Sequence, residues 1–254
     1  MTGGILLAES KNVTFYRRAR FPAVMALLSL LFFLAAYLFV TLTAVEPPYG
    51  KSLLFLVPFL CFGAITYFTA KGKWKKTVST ALTVIFTAVS VCAMPVAFVL
   101  LSCDAATTVT SDVGKYQRVL QLSNYPKNAL IQSFPGKIPD SAKNTLLAYH
   151  PAALQGGESF DLKFDADEQT IRNYASEFSG KAQWTGKPGG AEAEKHGLFS
   201  SSFTSAGYDT LPDSFTVYLI AGKPYQTDNW NHGEVSLAAV DETKQEVIFH
   251  AEKW

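Results

Sequence analysis

The sequence predicts an integral membrane protein: three transmembrane α-helices followed by an extracytoplasmic α+β domain, with an antiparallel sheet and one amphipathic helix. Three observations predict this fold class. Long uncharged apolar stretches occur only in the first 103 residues, the net charge changes sign between the two halves, and short strand-like runs fill the rest. Together they divide the 254 residues into a membrane region and a separate polar domain.

Three stretches contain no Asp, Glu, Lys, Arg or His: residues 22–45, 52–70 and 77–102. A helix needs about 20 apolar residues to cross the hydrocarbon core of a bilayer, so each stretch is long enough. Buried helices of a soluble protein are the alternative, but three such runs in one chain disfavour it. We therefore predict a cytoplasmic tail (1–21), a membrane region (22–103), a linker (104–114) and an outer domain (115–254).

Charge predicts the orientation of the chain. Residues 1–103 carry nine Lys and Arg against two Asp and Glu, a net charge of +7, whereas residues 104–254 carry 13 against 19, a net charge of −6. The basic residues of the tail and of the loop 71–76 indicate cytosolic segments by the positive-inside rule. Three crossings then place the acidic domain outside the plasma membrane. The bilayer is the predicted partner of the helices, and the acidic domain disfavours nucleic acid.

The predicted helices contain no Asp, Glu, Lys, Arg or His, and proton relays and ion pathways need such groups inside the membrane. A packed anchor is therefore the expected role of this region. Small hydroxyl residues along the third helix favour helix packing within the chain over contact with a partner subunit. They are Ser79, Thr80, Thr83, Thr87 and Ser90.

One cysteine is a candidate for lipidation. Residues 100–103, Leu-Leu-Ser-Cys, resemble the lipobox of bacterial lipoproteins, and that resemblance implies cleavage before Cys103 and lipidation of its thiol. Three lysines between residues 73 and 76 precede the apolar run, as basic residues precede the core of a signal peptide. The alternative is an ordinary cysteine at the end of a helix.

Short β-branched, aromatic or alternating runs predict the strands of the outer domain, at residues 129–134, 145–149, 159–164, 215–221, 235–240 and 246–251. Phe160, Leu162 and Phe164 alternate with polar residues, which is the period of a half-buried strand. The last two runs flank residues 241–244 and predict a hairpin that closes the chain.

One amphipathic helix is expected after residue 167. Asp165 or Asp167 is suited to cap its start, and Gly180 to end it. Its apolar residues recur at helical spacing: Ile171, Tyr174, Ala175 and Phe178. One helix among several strands predicts a helix packed across an antiparallel sheet. The Gly-rich residues 185–197 are expected to form a mobile loop.

Familiar catalytic and metal-binding motifs are missing from the sequence. The four histidines form no closely spaced pair, and the only cysteine near them is Cys103, at the membrane edge of the domain. There is no G-x-S-x-G or S-x-x-K motif and no nucleotide-binding glycine loop. We therefore expect no metal, no cofactor and no catalytic residue that the sequence identifies. An envelope hydrolase whose site only the fold assembles is an alternative.

Residues 225–233 combine aromatic rings, amides and a histidine in a short segment. Flat rings stack on sugars or peptides while polar side chains form hydrogen bonds, so Tyr225, Trp230 and His232 are the candidate ligand-binding residues. The alternative is a strand connection in which Trp230 covers the edge of the sheet.

Several short motifs resemble the outer domains of uncharacterised Gram-positive membrane proteins and lipoproteins: FPGKIP at 134–139, YHP at 149–151, QGG at 155–157, WNHG at 230–233 and AEKW at 251–254. The resemblance implies a bacterial cell-envelope setting and no particular activity. We expect a non-enzymatic module that binds or senses an unknown envelope ligand. An accessory subunit of a membrane complex, acting through its helices, is a further alternative.

Overall fold

The computed structural model describes residues 3–152, 157–199, 201–226 and 229–254, with side chains from residue 19 onward. The chain divides into two compact units, one up to Ala105 and one from Ala106 to Trp254. The first contains the apolar helices and the second contains the sheet, as the change in composition predicts.

The first unit consists of four helices, with a 3-10 turn between the second and the third: α1 Gly3–Thr43, α2 Tyr49–Ser52, the turn Leu53–Leu56, α3 Val57–Ala70 and α4 Lys76–Thr107. Three segments are long and apolar enough to span a membrane, which confirms the predicted spans: Ala19–Thr43, Tyr49–Ala70 and Lys76–Thr107. Helix α1 begins at Gly3, so it also includes most of the predicted N-terminal tail.

Hydroxyl residues join α4 to α3, in agreement with the predicted packing within the chain. The hydroxyls of Thr69 and Ser79 are hydrogen-bonded at 2.7 Å, and both residues are buried. Thr83 is also buried, whereas Thr80 is exposed. Ser79 and Thr83 are four positions apart on α4, and a helix turns once in about 3.6 residues. These two buried residues therefore lie on the same face of α4.

The structure departs from the predicted linker over residues 104–114. Helix α4 continues to Thr107, because Asp, Ala and Thr do not break a helix. Thr110 is buried and pairs with Tyr149 through two backbone hydrogen bonds, of 3.0 and 2.9 Å. These residues therefore add ordered structure to both units and do not form a tether along their whole length.

The second unit is built on a six-stranded antiparallel sheet in the order β1-β2-β6-β5-β4-β3, which confirms the predicted α+β class. The strands are β1 Lys143–His150, β2 Glu158–Asp165, β3 Trp184–Gly186, β4 Thr216–Lys223, β5 Glu234–Asp241 and β6 Glu246–Lys253. Five of them lie where strand-like runs predict them, and β5 and β6 form the predicted hairpin.

One predicted strand is wrong. Within residues 129–134 the chain forms a 3-10 turn, Ala129–Ile131. The Asn128 side chain accepts a hydrogen bond of 3.1 Å from a backbone N–H of the turn, a local bond that competes with strand formation. Phe134 is buried and stacks on Phe160 with ring centroids 4.6 Å apart. The apolar residues of this run therefore belong to a turn that packs onto the sheet.

Helix α6, Glu168–Lys181, confirms the predicted amphipathic helix. Asp167 accepts a hydrogen bond of 2.9 Å from the backbone N–H of Thr170, which identifies it as the N-cap. The helix passes through Gly180 and ends one residue later. Its buried face packs on one side of the sheet, where Phe178 contacts Phe249 with ring centroids 5.7 Å apart.

Two short helices are absent from the prediction: α5 Tyr116–Leu122 and α7 Gly190–Lys195. The predicted mobile loop over residues 185–197 is wrong, because it contains most of β3 and all of α7. Gly189 and Gly190, with φ of 86° and 82°, make the turn into α7 in a conformation that L side chains rarely adopt. The glycines therefore shape an ordered turn.

Candidate functional site

The face of the sheet opposite α6 is covered by residues 190–199 and 201–215, which we call the covering segment. Except for α7 and the 3-10 turn Thr204–Ala206, its described residues lack helix and strand. Its apolar side chains form one core with the strands: Ala193, Leu198, Phe203, Ala206, Leu211 and Phe215 pack with Val217, Leu219, Val235, Leu237, Ala239 and Ile248. The position of the segment therefore depends on side-chain packing.

A cleft of about 320 Å³ opens between the covering segment and the turn that precedes it. Its apolar lining consists of Pro188, Leu198, Phe199, Phe203 and Leu211, and its polar rim of Glu194, Thr210 and Asp213. The deepest apolar residues are buried members of the core, while the rim residues are exposed. The cleft therefore presents an apolar floor below a polar opening.

The rim gives the cleft a negative charge. Within the described residues, neither Glu194 nor Asp213 forms an ion pair. A bound cation would interact with these carboxylates while its apolar part is buried against the floor. No His, Cys, Lys or Arg occurs among the described lining residues.

A buried ion pair supports one wall of the cleft. Asp161 on β2 and His250 on β6 are register partners, and Asp161 Oδ1 lies 2.7 Å from His250 Nδ1. Glu252 Oε2 lies 3.4 Å from Nε2, which is an ion-pair distance without a well-formed hydrogen bond. The Phe203 ring, which lines the cleft, contacts the imidazole edge to face with centroids 5.7 Å apart.

The environment of His250 sets its charge. Burial lowers the pKa of this imidazole, but the charge and hydrogen bond of Asp161 raise it more strongly, and Glu252 adds to the increase. The net effect raises the pKa of His250 to about 9. The ring is therefore protonated at neutral pH and donates its Nδ1–H to Asp161, so it has no lone pair with which to act as a general base. Its role here is structural.

The structure separates the three candidate ligand-binding residues predicted from the sequence. Tyr225 is 59% exposed and lies near the exposed His232, with ring centroids 5.9 Å apart. Trp230 is only 9% exposed and belongs to the core below the covering segment. Residues 227 and 228 of this segment lie outside the described residues. Tyr225 and His232 thus lie together on the surface, whereas Trp230 is buried.

Trp230 supports the cleft from within the core. Its ring contacts Trp254 at a centroid distance of 6.2 Å, and Trp254 contacts Phe199 of the cleft wall at 5.9 Å. A Cβ added at Gly197 would lie 3.0 Å from the Trp230 ring, so this glycine allows the close approach. The burial of Trp230 agrees with the alternative that it covers the sheet. Its indole N–H has no hydrogen-bond partner among the described residues.

Cys103 lies on an exposed face of α4, four residues before the end of the helix. Cleavage before Cys103 would therefore cut a continuous helix. Lipidation stays a prediction, and incorporation of labelled palmitate that Cys103→Ala abolishes would support it.

The described residues contain no group of three or more His, Cys, Asp or Glu side chains placed to hold a metal ion. His196 stacks on Trp184 with centroids 4.8 Å apart, and His250 is held by Asp161. Each of these two histidines therefore contacts another side chain of the domain, Trp184 or Asp161.

Sequence reasoning missed the residues of the cleft. Glu194 lies in the segment predicted as a mobile loop, and Phe203, Leu211 and Asp213 lie in a stretch without periodicity. Their only local signal is a scatter of single apolar residues among Gly, Ser and Thr, which does not indicate which side chains meet. The fold brings Leu198, Phe203 and Leu211 together because they pack into one core with the residues of β4, β5 and β6.

Comparisons with protein-family models, with curated proteins and with solved structures find no match to this chain. The resemblance to Gram-positive surface proteins thus stays a prediction that rests on the quoted motifs.

Proposed function

We propose that this protein is a non-enzymatic, membrane-anchored binding protein of the bacterial cell envelope. The observation that carries the proposal is the cleft of about 320 Å³, with its apolar floor and two carboxylates at the rim. Small-molecule sites are typically concave and mostly apolar, with a few polar groups that set orientation. The ligand class that fits this cleft is an organic cation with an apolar body, such as an amine attached to an aromatic or aliphatic group.

The expected affinity follows from the two parts of the cleft. Burying a Leu- or Phe-sized group against the floor contributes about 1.5–3 kcal/mol, and each exposed ion pair at the rim contributes about 0–1 kcal/mol. The sum corresponds to dissociation constants around the millimolar range. The floor therefore supplies most of the binding energy, and the carboxylates supply selectivity for a positive charge.

The test uses the full chain in lipid nanodiscs and two small probes of similar shape. Phenethylammonium carries the positive charge, and 2-phenylethanol is its neutral counterpart. Saturation-transfer NMR should detect phenethylammonium bound to the wild type above its signal with empty nanodiscs. Glu194→Gln combined with Asp213→Asn should weaken binding of the cation to the level of the neutral probe.

A matched control separates the cleft from general surface charge. Glu177→Gln with Glu242→Gln makes the same change in charge at two exposed positions that do not line the cleft. This control should bind phenethylammonium as the wild type does. Equal binding by the wild type and the cleft variant, or no binding beyond that of empty nanodiscs, would refute the proposal.

We also propose that the N-terminus faces the cytosol and the sheet domain faces the exterior. The charge bias supports this orientation, since Lys71, Lys73 and Lys75 lie between the second and third spans and Lys76 begins the third. Protease added to intact spheroplasts should digest the region after residue 104 and leave the N-terminal tail intact. A protected C-terminal domain would reverse the orientation.

A further inference from the structure

Basic side chains gather at one end of the three membrane-spanning segments. Ala26, near the start of the first span, packs in one apolar cluster with Phe62 of α3. Ala44, just after the end of that span, packs with Phe55, which precedes α3. Helices α1 and α3 are therefore antiparallel, so the first span starts beside the end of α3 and the start of α4. This end, which we call the basic end, presents five exposed basic residues among the described positions: Arg20, Lys71, Lys73, Lys75 and Lys76.

A short ordered loop between α3 and α4 presents the lysines of the basic end. Gly72 has a φ of 70° and donates its N–H to the Thr69 carbonyl at 3.0 Å. The N–H of Lys73 donates to the Phe68 carbonyl, also at 3.0 Å. These two bonds form a Schellman motif, which ends a helix and fixes the direction of the chain after it. The hydroxyls of Thr69 and Ser79, hydrogen-bonded at 2.7 Å, then join α3 to α4, so both ends of the loop are held.

The described residues do not neutralise the charge of the basic end. Among them, none of the five basic side chains forms an ion pair. Lys71 and Lys73 lie over aromatic rings, with their ammonium nitrogens 5.9 Å from the Tyr67 centroid and 5.6 Å from the Phe68 centroid. Lys76 begins α4, where the helix dipole adds to the positive potential. Like charges in one short loop repel one another, and a bound anion relieves that repulsion.

The position of the basic end identifies the anion. The second span, Tyr49–Ala70, has the length that crosses a hydrocarbon core, about 20 residues, so the loop after it lies at the level of the lipid headgroups when the helices cross a bilayer. The half-buried Trp74 of this loop is a side chain typical of that level. The opposite end of the spans carries Lys51 in an ion pair with Asp104, together with Glu46, so it has no excess of positive charge.

We propose that the basic end binds the phosphate of an anionic phospholipid headgroup, with phosphatidylglycerol as the simplest example. Clusters of four or more Lys and Arg beside a span attract anionic lipids, and each basic residue raises the affinity about fivefold. A phosphatidylcholine headgroup adds a cation that the lysines repel. The site lies in the first unit, whereas the cleft lies in the second, and it binds the same headgroups whichever side of the membrane the loop faces.

Trp74 reports lipid contact at the basic end, because it is the only tryptophan of the first unit and packs on Phe68 with ring centroids 5.1 Å apart. The full chain is reconstituted in equal mixtures of phosphatidylglycerol and phosphatidylcholine, in which one lipid or the other carries bromine near the headgroup end of a tail. Bromine quenches the fluorescence of a tryptophan that it contacts, and Trp74→Phe supplies the background of the other tryptophans. Brominated phosphatidylglycerol should quench Trp74 more strongly, with a relative binding constant of roughly fivefold or more. Equal quenching by the two lipids would overturn the proposal.

Charge variants supply the second arm. Lys75→Gln with Lys76→Gln should abolish most of the preference for phosphatidylglycerol. Lys127→Gln with Lys143→Gln makes the same change in charge at two exposed positions of the sheet domain and should leave the preference unchanged. A preference that the loop variant keeps, or that the control loses, would contradict a site at the basic end.

Inorganic phosphate distinguishes a lipid headgroup from a soluble anion. At equal ionic strength, phosphate and chloride should weaken the quenching of Trp74 by brominated phosphatidylglycerol to the same extent, because salt screens exposed charges without regard to its identity. A loss of quenching that phosphate causes and chloride does not would overturn the proposal in favour of a site for soluble phosphate.

Discussion

At the scale of single residues, the pairing of Asp161 with His250 makes the stability of the sheet domain depend on pH. The pKa of His250 is raised from 6.5 to about 9 in the folded protein, with burial opposing the increase and Asp161 providing most of it. A pKa that is higher in the folded state means that the stabilisation is complete below about pH 6.5 and is lost as the pH rises through about 9. We therefore expect the melting temperature of the sheet domain to fall across this interval.

Asp161→Asn tests the same pair directly. Removing one partner leaves a buried charge uncompensated, which typically costs about 3–5 kcal/mol. The variant should be less stable at pH 6 and should lose most of the decline between pH 6.5 and 9, because Asp161 no longer raises the pKa of His250 and only the smaller contribution of Glu252 remains. Urea unfolding followed by near-UV circular dichroism measures both effects. An Asp161→Asn protein with the stability and pH dependence of the wild type would contradict the assignment.

Trp230 and Tyr225 make a matched pair of predictions at the same scale. Trp230 is buried, so Trp230→Ala should lower the free energy of unfolding by about 3–5 kcal/mol. Trp230→Phe should cost much less, because it keeps an aromatic ring and removes an indole N–H that has no partner among the described residues. Tyr225→Ala, at an exposed position, should change stability by no more than about 0.5 kcal/mol. A stable Trp230→Ala protein would return this residue to the candidates for recognition.

At the scale of elements, the contact between α3 and α4 should contribute a small but measurable coupling. A double-mutant cycle with Thr69→Val and Ser79→Ala removes the buried hydrogen bond of 2.7 Å. Interhelical hydrogen bonds in membranes average about 0.6 kcal/mol and reach about 1.7 kcal/mol. Unfolding in bicelles by sodium dodecyl sulfate should give a coupling energy in this range. Thr80→Ala, on the exposed side of α4, should show no coupling to Thr69.

At the scale of the whole molecule, the sheet domain should fold without the helices. The fragment 106–254 corresponds to one compact unit and should be monomeric and unfold cooperatively. The shorter fragment 115–254 lacks Thr110, which forms two backbone hydrogen bonds with Tyr149 at the edge of β1. The free energy of unfolding of the shorter fragment should therefore be lower than that of the longer one by about 1–3 kcal/mol, because each of the two hydrogen bonds contributes about 0.5–1.5 kcal/mol. Aggregation of the longer fragment would mean that the membrane unit completes its core.

The sequence by itself determined the features that depend on neighbouring residues. Three spans, five strands and α6 are confirmed, because apolar length, alternation and helical spacing are local patterns. Of the two aspartates predicted as possible caps of α6, the structure selects Asp167. The prediction was wrong where a local pattern has two outcomes, as at residues 129–134, where a short apolar run forms a turn capped by Asn128.

Only the tertiary structure decided which distant side chains meet. Asp161 and His250 are 89 positions apart and pair because β2 and β6 are adjacent in a particular register, which no local pattern encodes. The cleft likewise requires that Phe203 and Leu211, which have no periodic neighbours, pack onto the sheet. The residues next to Trp230 in the sequence are compatible with a position on the surface or in the core. In the structure Trp230 is buried under the covering segment and belongs to the core. Packing energy depends on the whole set of buried contacts, so these positions follow from the fold rather than from local sequence.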